Sequence, residues 1–306
     1  MERSRGQLYL VLSFSLAGTS VIAVRFIAGI GAFTITACSL LIALLAFAPF
    51  YRTKIIESVR QMNQQDWILM VLQAFFGIFL FRAFLLFGLR HTSTAEAGIL
   101  IGSEPVLTCL FVRFILREKA GKKMAAGILC AVIGIILLQG IQLMELSFSG
   151  LLGNLLVLCA AASGSFFTIL SRIHSAHKTP RSTVKLDPVV QSLLVAAIAF
   201  ALCLLPALFE HPFSSMQELH LQGWLSIGWY GLVVTMLAYI LWYAGIKRCS
   251  AYTAAAYSSL MPLTSMLLSY LLLRETITGA QWVGGCLVIL GILAIAGLKP
   301  GEKQAG

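Results

Sequence analysis

The chain has 306 residues, of which 59% are hydrophobic and only 11% charged, with a mean hydropathy of +0.90. A soluble domain of this size could not cover itself with so few polar side chains, which excludes a soluble enzyme or binding domain. The net charge of +10 does not point to nucleic acid, because no basic cluster is interleaved with aromatics in a polar segment.

Apolar runs of about 20 residues, each long enough to cross a bilayer as a helix, recur from end to end. They lie at 7–27, 31–50, 67–88, 95–116, 122–142, 151–172, 188–209, 222–245, 251–273 and 279–298. The runs show no alternation of polar and apolar residues, so they predict helices rather than barrel strands. The fold class expected is all-α integral membrane, with ten transmembrane helices and short links.

The first run follows Arg3 and Arg5 and resembles a signal peptide. However, Gly6–Arg25 matches Gly153–Arg172 at an offset of 147, so this run belongs to the fold. The third run contains Arg82, about 9 Å from its outer end at 1.5 Å per residue. In the fourth, Glu96, Leu100, Glu104 and Thr108 share a helix face, with Glu104 about 13 Å from the outer end by the same rise. Ionisable groups inside hydrocarbon are costly and mark a function or a pair. Arg82 and Glu104 reach similar depth on neighbouring helices, so they read as an ion pair, a substrate or proton site, or both. Pro105 removes a helical hydrogen bond and leaves the carbonyl of Ile101 free. Arg113 is out of phase with Glu104 and reads as a snorkelling residue.

The fifth run carries Ala126, Cys130 and Gly134 at helix-packing spacing, and the tenth repeats the theme with Ala280 and Gly284. These rows fit packing within one half or between the subunits of a homodimer. The eighth run places Thr235, Tyr239 and Tyr243 on one face, beside Trp242, as a strip for a substrate ring or cation. An interfacial aromatic belt is the other reading of Trp242 and Tyr243. The ninth run places Thr253, Tyr257, Met261 and Ser265 on one face. Its Pro262 leaves the carbonyl of Ser258 free and, with Pro105, is a candidate hinge. Arg25 and Arg172 end their runs as anchors. His174 and His177 fall in a polar loop.

Phe84–Gly140 matches Leu241–Gly297 without a gap at an offset of 157. The chain therefore reads as two five-helix repeats, 1–143 and 151–298, with a cytoplasmic tail at 299–306. Five spans per repeat is odd, so the second enters the membrane inverted. Seventeen basic residues fall on the inner segments, against Arg25, Arg90 and Arg274 outside, which puts both termini in the cytoplasm of a multi-pass protein of the inner or plasma membrane.

Seven cysteines without a CxxC, and five histidines without HExxH spacing, predict no metal. No P-loop or dinucleotide fingerprint occurs, so no cofactor and no enzyme activity are expected. The partners expected are a small-molecule substrate and membrane lipids, with proton coupling and a homodimer both compatible with the pattern.

The first copy reads Thr92-Ser93-Thr94-Ala95-Glu96-Ala97-Gly98, then Glu104-Pro105-Val106, then Arg117-Glu118. The second reads Ser250-Ala251-Tyr252-Thr253-Ala254-Ala255, then Met261-Pro262-Leu263, then Arg274-Glu275 and Gln281-Trp282-Val283-Gly284-Gly285. This ordered pattern resembles the EamA-type branch of the drug/metabolite transporter superfamily over essentially the whole chain. The resemblance implies ten helices in two inverted halves, and a cavity lined by the first, third, fourth, sixth, eighth and ninth. It implies a secondary transporter, mostly an exporter of amino acids, metabolites or drug-like compounds, working by alternating access. The residue before the family proline is usually small or apolar, and here it is Glu104. An integral-membrane enzyme on lipid-linked substrates and a non-transporting subunit are the other classes, and neither has a residue cluster in its favour.

Overall fold

The computed structural model describes residues 2–27, 29–92, 97, 100–117, 121–138, 150–175, 186–217, 219–274 and 276–296. Among them every regular element is helical. The first run forms α1 (Glu2–Gly18) and α2 (Ser20–Arg25). The break falls at Thr19, whose hydroxyl donates to the carbonyl of Leu16 at 2.7 Å. Next come α3 (Ala32–Phe47) and α4 (Arg52–Gln61), bent by 104° to each other. The sequence reading gave α4 no element. Its turn-by-turn mix of Ile55 and Val59 with charged residues suits a helix lying along an apolar surface, and both side chains pack on the core.

The long helix α5 (Gln64–Leu89) starts from a capping box. Asn63 Oδ1 accepts from the Asp66 N–H at 3.0 Å, and the Asn63 N–H donates to Asp66 Oδ2 at 3.2 Å. Such reciprocal bonds satisfy two otherwise orphaned donors. A wider π turn occupies Phe75–Leu80. Then follow α6 (Glu104–Phe114), α7 (Lys122–Leu138), α8 (Leu151–Ser175), α9 (Pro188–Leu208) and the short α10 (Pro212–Gln217). The long α11 (Leu221–Ile246) also holds a π turn, at Tyr230–Leu237. There Thr235 donates its hydroxyl to the carbonyl five residues back, Tyr230, at 2.9 Å. The last elements are α12 (Ala251–Leu273) and α13 (Gly279–Ala296).

Five of these helices, α5, α8, α9, α11 and α12, are long and apolar enough to cross a membrane, and a sixth if α3 and α4 count as one bent span. The remaining expected runs are shorter or interrupted among the described residues. Even α12, one of the five, is interrupted at Ser258 and Ser259, whose hydroxyls bond back to Ala255 and Ala256. The carbonyl of Ser258 is not free, as the sequence suggested, because the Met261 N–H takes it at 3.0 Å. This tighter bond restarts the helix just before Pro262, whose ring lacks the N–H for the regular ladder.

Glycine sets the closest helix contacts. A Cβ added at Gly134 would lie 2.7 Å from the carbonyl oxygen of Gly284, and one at Gly127 2.9 Å from that of Gly291. Backbones of α7 and α13 therefore touch, as small residues allow in an apolar medium. The seam runs along Gly127, Ala131 and Gly134, one residue round the helix from the row Ala126–Cys130–Gly134 expected, and it joins the fifth run to the tenth rather than helices within one half or two subunits, as that row had suggested. Ala126 and Ala280 are exposed, while Cys130 reaches the carbonyl of Leu287 at 3.4 Å. Gly6 packs likewise on α11 beside Gly245, and Gly88 of α5 packs on α8 beside Gly153. The main core lies between α1, α3, α5, α9, α11 and α12.

Candidate functional site

A cavity of about 660 Å³ occupies the centre of the helices. Its walls come from every helix the family resemblance implied, with further residues from α3, α7 and α13. Arg82, Glu104, Thr108, Tyr239, Trp242, Pro105 and Pro262 all line it. Tyr243 and Tyr257 do not, and both are buried in the core. Glu96 lies outside the described residues.

Arg82 sits just past the π turn of α5, which swings the following residues round the helix. Its guanidinium donates to the hydroxyl of Tyr230 and lies 5.5 Å from the centre of that ring. Cation–π contact of this kind offsets part of the lost hydration. The Arg82–Glu104 ion pair is not formed: among the described residues the ion pairs within 4 Å are Lys54–Asp187 and His174–Asp66.

Glu104 opens α6, where Ser103 turns its hydroxyl back to the carbonyl of Leu100 at 2.6 Å. Its carboxylate lies against α8 where that helix has no side chain. A Cβ on Gly164 would fall 2.7 Å from Glu104 Oε1. Ser165 donates to the Glu104 backbone carbonyl at 3.1 Å, and Thr108 donates to Ser165 Oγ at 3.0 Å. The neighbouring helix thus fixes the depth of the carboxylate, while its oxygens stay on the cavity side.

Aromatic rings form the floor. Phe167 stacks on Trp242 at 5.9 Å and meets Tyr239 at 5.7 Å, and Phe14 meets Trp242 edge-on at 5.5 Å. Trp242 and Tyr243 are buried, so the interfacial-belt reading does not apply to them. The indole N–H of Trp242 has no acceptor among the described residues. Tyr239 lies within electrostatic reach of both Arg82 and Glu104.

Among the site residues that escaped the sequence reading are Gly164, Tyr230, Phe14 and Phe167. His174, expected in a loop, is instead buried at the end of α8. Arg172 caps α11, donating to the carbonyls of Ile246 at 2.8 Å and Lys247 at 3.3 Å. Arg113 is exposed and away from the cavity, as its phase required.

Apolar spanning helices around a central chamber that holds both signs of charge are the build of a multi-pass membrane transporter for a small molecule. The model of the EamA-like transporter family matches this chain twice, at residues 4–139 and 151–297, and the chain belongs to that family. It is 30% identical over 233 residues to the uncharacterized transporter YetK of Bacillus subtilis, an alignment covering 76% of this chain and 68% of that one. It is also 30% identical over 201 residues to a protein of Salmonella typhimurium named probable amino-acid metabolite efflux pump, covering 64% and 65%. A crystal structure with a TM-score of 0.77 covers 96% of both chains at 22% identity, which is a likeness of fold alone.

Proposed function

We propose that the protein is an exporter of a small dipolar metabolite, such as an amino-acid-like compound with an apolar body, in the inner or plasma membrane. Two charges of opposite sign in one cavity carry this reading. Neither Arg82 nor Glu104 has an oppositely charged partner within 4 Å among the described residues. Both side chains are half-buried; a charge partly withdrawn from water and left unpaired is costly, and a ligand with an amine and an acceptor at its two ends satisfies both. Glu104 holds the amine or a coupled proton, Arg82 holds the acceptor, and Trp242 and Tyr239 take the apolar body. Thr108 supports Glu104. Export is the direction suggested by the name of the Salmonella relative.

The architecture that goes with this function is ten helices in two inverted five-helix repeats, 1–143 and 151–298, with both termini cytoplasmic. Contacts that exchange under the repeat support it. The offsets carry Gly6 to Gly153 and Gly88 to Gly245, so the contact Gly6–Gly245 becomes Gly153–Gly88, and both exist. Gly127 pairs with Gly291 and Gly134 with Gly284. One number rises as the other falls, as in antiparallel helices about an axis in the membrane plane. Ser265 donates to the carbonyl of Gly18 at 2.9 Å, where the repeat counterparts Thr108 and Ser165 also bond. The family model matches once per half. Transport then proceeds by rocking the halves about the cavity, with the breaks before Pro105 and Pro262 as hinges.

The test is flux in proteoliposomes loaded with amino acids, amines and organic acids. Glu104→Gln and Arg82→Ala are each expected to lower transport of the dipolar substrate at least ten-fold while the protein stays folded. Normal transport in both variants refutes the assignment.

A further inference from the structure

Gln73 lies on α5 and is completely buried. Its amide oxygen accepts from the hydroxyl of Tyr243 on α11 at 3.0 Å, from Nε2 of Gln191 on α9 at 3.2 Å and from Ser171 on α8 at 3.5 Å. Its amide nitrogen donates to the Leu69 carbonyl and, at 3.0 Å, to Nδ1 of His174 on α8. With Nδ1 accepting, the ring proton of His174 sits on Nε2, which faces Asp66 Oδ1 at 3.9 Å. One side chain therefore joins four helices.

The cluster is placed directly beyond the cavity. Gly77, Phe167 and Tyr239 line the chamber. Gln73, Ser171 and Tyr243 each lie four residues from one of them, one helical turn or about 6 Å deeper. Between the layers, the Phe167 ring rests on Gly77, where a Cβ would be 2.4 Å away, and it meets Tyr243 at 6.3 Å. At the opposite end, the lining continues through Ser269, Tyr270, Thr276 and Gln281. Because α12 begins soon after α11 ends, its far end lies across the protein from the cluster. The chamber leans toward that end and is sealed at this one.

We propose that this cluster is the closed gate of the transport path and that Gln73 is the side chain that bolts it, so substrate leaves or enters through this face only when Gln73 releases α9 and α11. The proposal rests on the alternating-access reading above. A plug of apolar side chains would part only by exposing apolar surface to water. A plug of amide, hydroxyl and imidazole groups exchanges its internal hydrogen bonds for water, so both the shut and the parted state are satisfied. Such a balance is what a two-state element needs. The offset of 157 carries Gln73 to Tyr230, which holds Arg82 across the chamber. The same position in each repeat thus makes a polar cross-helix contact.

The experiment uses the accessibility of a cavity thiol, introduced by Ser258→Cys and followed on its own peptide by mass spectrometry. A membrane-impermeant maleimide is added from one face or the other, to intact cells and to inverted vesicles. With Gln73 present, the thiol should label from the open face and slowly from the cluster's face. Adding Gln73→Leu should raise labelling from the cluster's face about ten-fold, because several buried donors lose their acceptor only in the shut state. Tyr243→Phe, which removes a single hydroxyl, should raise it less. Unchanged labelling from that face in both variants, in protein that melts cooperatively, overturns the proposal. Where Gln73→Leu does not fold, Tyr243→Phe decides in either direction. The readout needs no substrate, so its failure is distinct from a failure of the flux assignment.

Discussion

Gly164→Ala places one methyl group where the Glu104 carboxylate now lies. The added carbon would sit 2.7 Å from Oε1 and 2.9 Å from Cδ. Ordinary contact between such atoms is several tenths of an ångström longer, so the carboxylate must withdraw or turn. The helix cannot yield easily, because Ser165 is tied to the Glu104 carbonyl at 3.1 Å. Turning a side chain about 30° from its preferred rotamer costs about 0.5–1.5 kcal/mol. If substrate binding uses the present carboxylate position, KM rises about two- to twelve-fold, since 1.4 kcal/mol is a factor of ten. The maximal rate should change little, because the methyl adds no barrier to movement of the halves. Concentration-dependent counterflow in proteoliposomes measures both constants. Glu104→Gln supplies the second side of a double-mutant cycle, and the two changes should couple rather than add. An unchanged KM in Gly164→Ala, or simple additivity with Glu104→Gln, refutes the argument that Gly164 positions the carboxylate.

Gly134→Ala forces a Cβ to within 2.7 Å of the Gly284 backbone. Overpacking of this kind costs about 1–3 kcal/mol, and the melting midpoint of the purified protein should fall. Asn63→Ala removes the side-chain half of the capping box, the Oδ1 that accepts from the Asp66 N–H, and should destabilise the start of α5 by about 1 kcal/mol, visible as faster amide exchange there. Tyr230→Phe removes the hydroxyl that Arg82 bonds while keeping the ring beneath the guanidinium. Affinity for the acceptor end of the substrate should change several-fold, and Tyr230→Leu, which also removes the ring, should change it more, as equilibrium binding would reveal.

The sequence was legible where burial in lipid leaves few choices. Arg82 and Glu104 stand out because charge is rare in apolar runs, and both reach the cavity. Part of the α7–α13 seam was legible, because Gly134 and Gly284 stand in rows of small residues, whereas the Gly6–Gly245 and Gly88–Gly153 contacts were not read as seams. The phase of the α7–α13 seam was not legible, since choosing between Ala126 and Gly127 requires knowing which way the partner helix lies. Regular i, i+4 spacing failed at two places for separate reasons. In α12, the break at Ser258 and Ser259 separates the phase of Tyr257 from that of Met261. Met261 and Ser265 line the chamber and Tyr257 does not. In α11, Tyr239 and Tyr243 do share a face and their rings meet at 6.4 Å, but Phe167 packs on both and only Tyr239 lines the chamber. Gly164 and Gln73 carried no signal of their own. A glycine and a glutamine become informative only when the side chain or backbone opposite them is known.

The seam between α7 and α13 has a thermal consequence. Two helices that meet through side chains must freeze many rotamers, and that entropic cost grows as temperature rises. Here Gly127, Gly134, Gly284 and Gly291 meet largely through backbone, with Val288 and Ile295 packed beside them, and those β-branched side chains are already stiff, so few rotamers are lost on contact. Heating should therefore loosen the rotamer-rich contacts around the chamber first, with α7 and α13 among the last helices to separate.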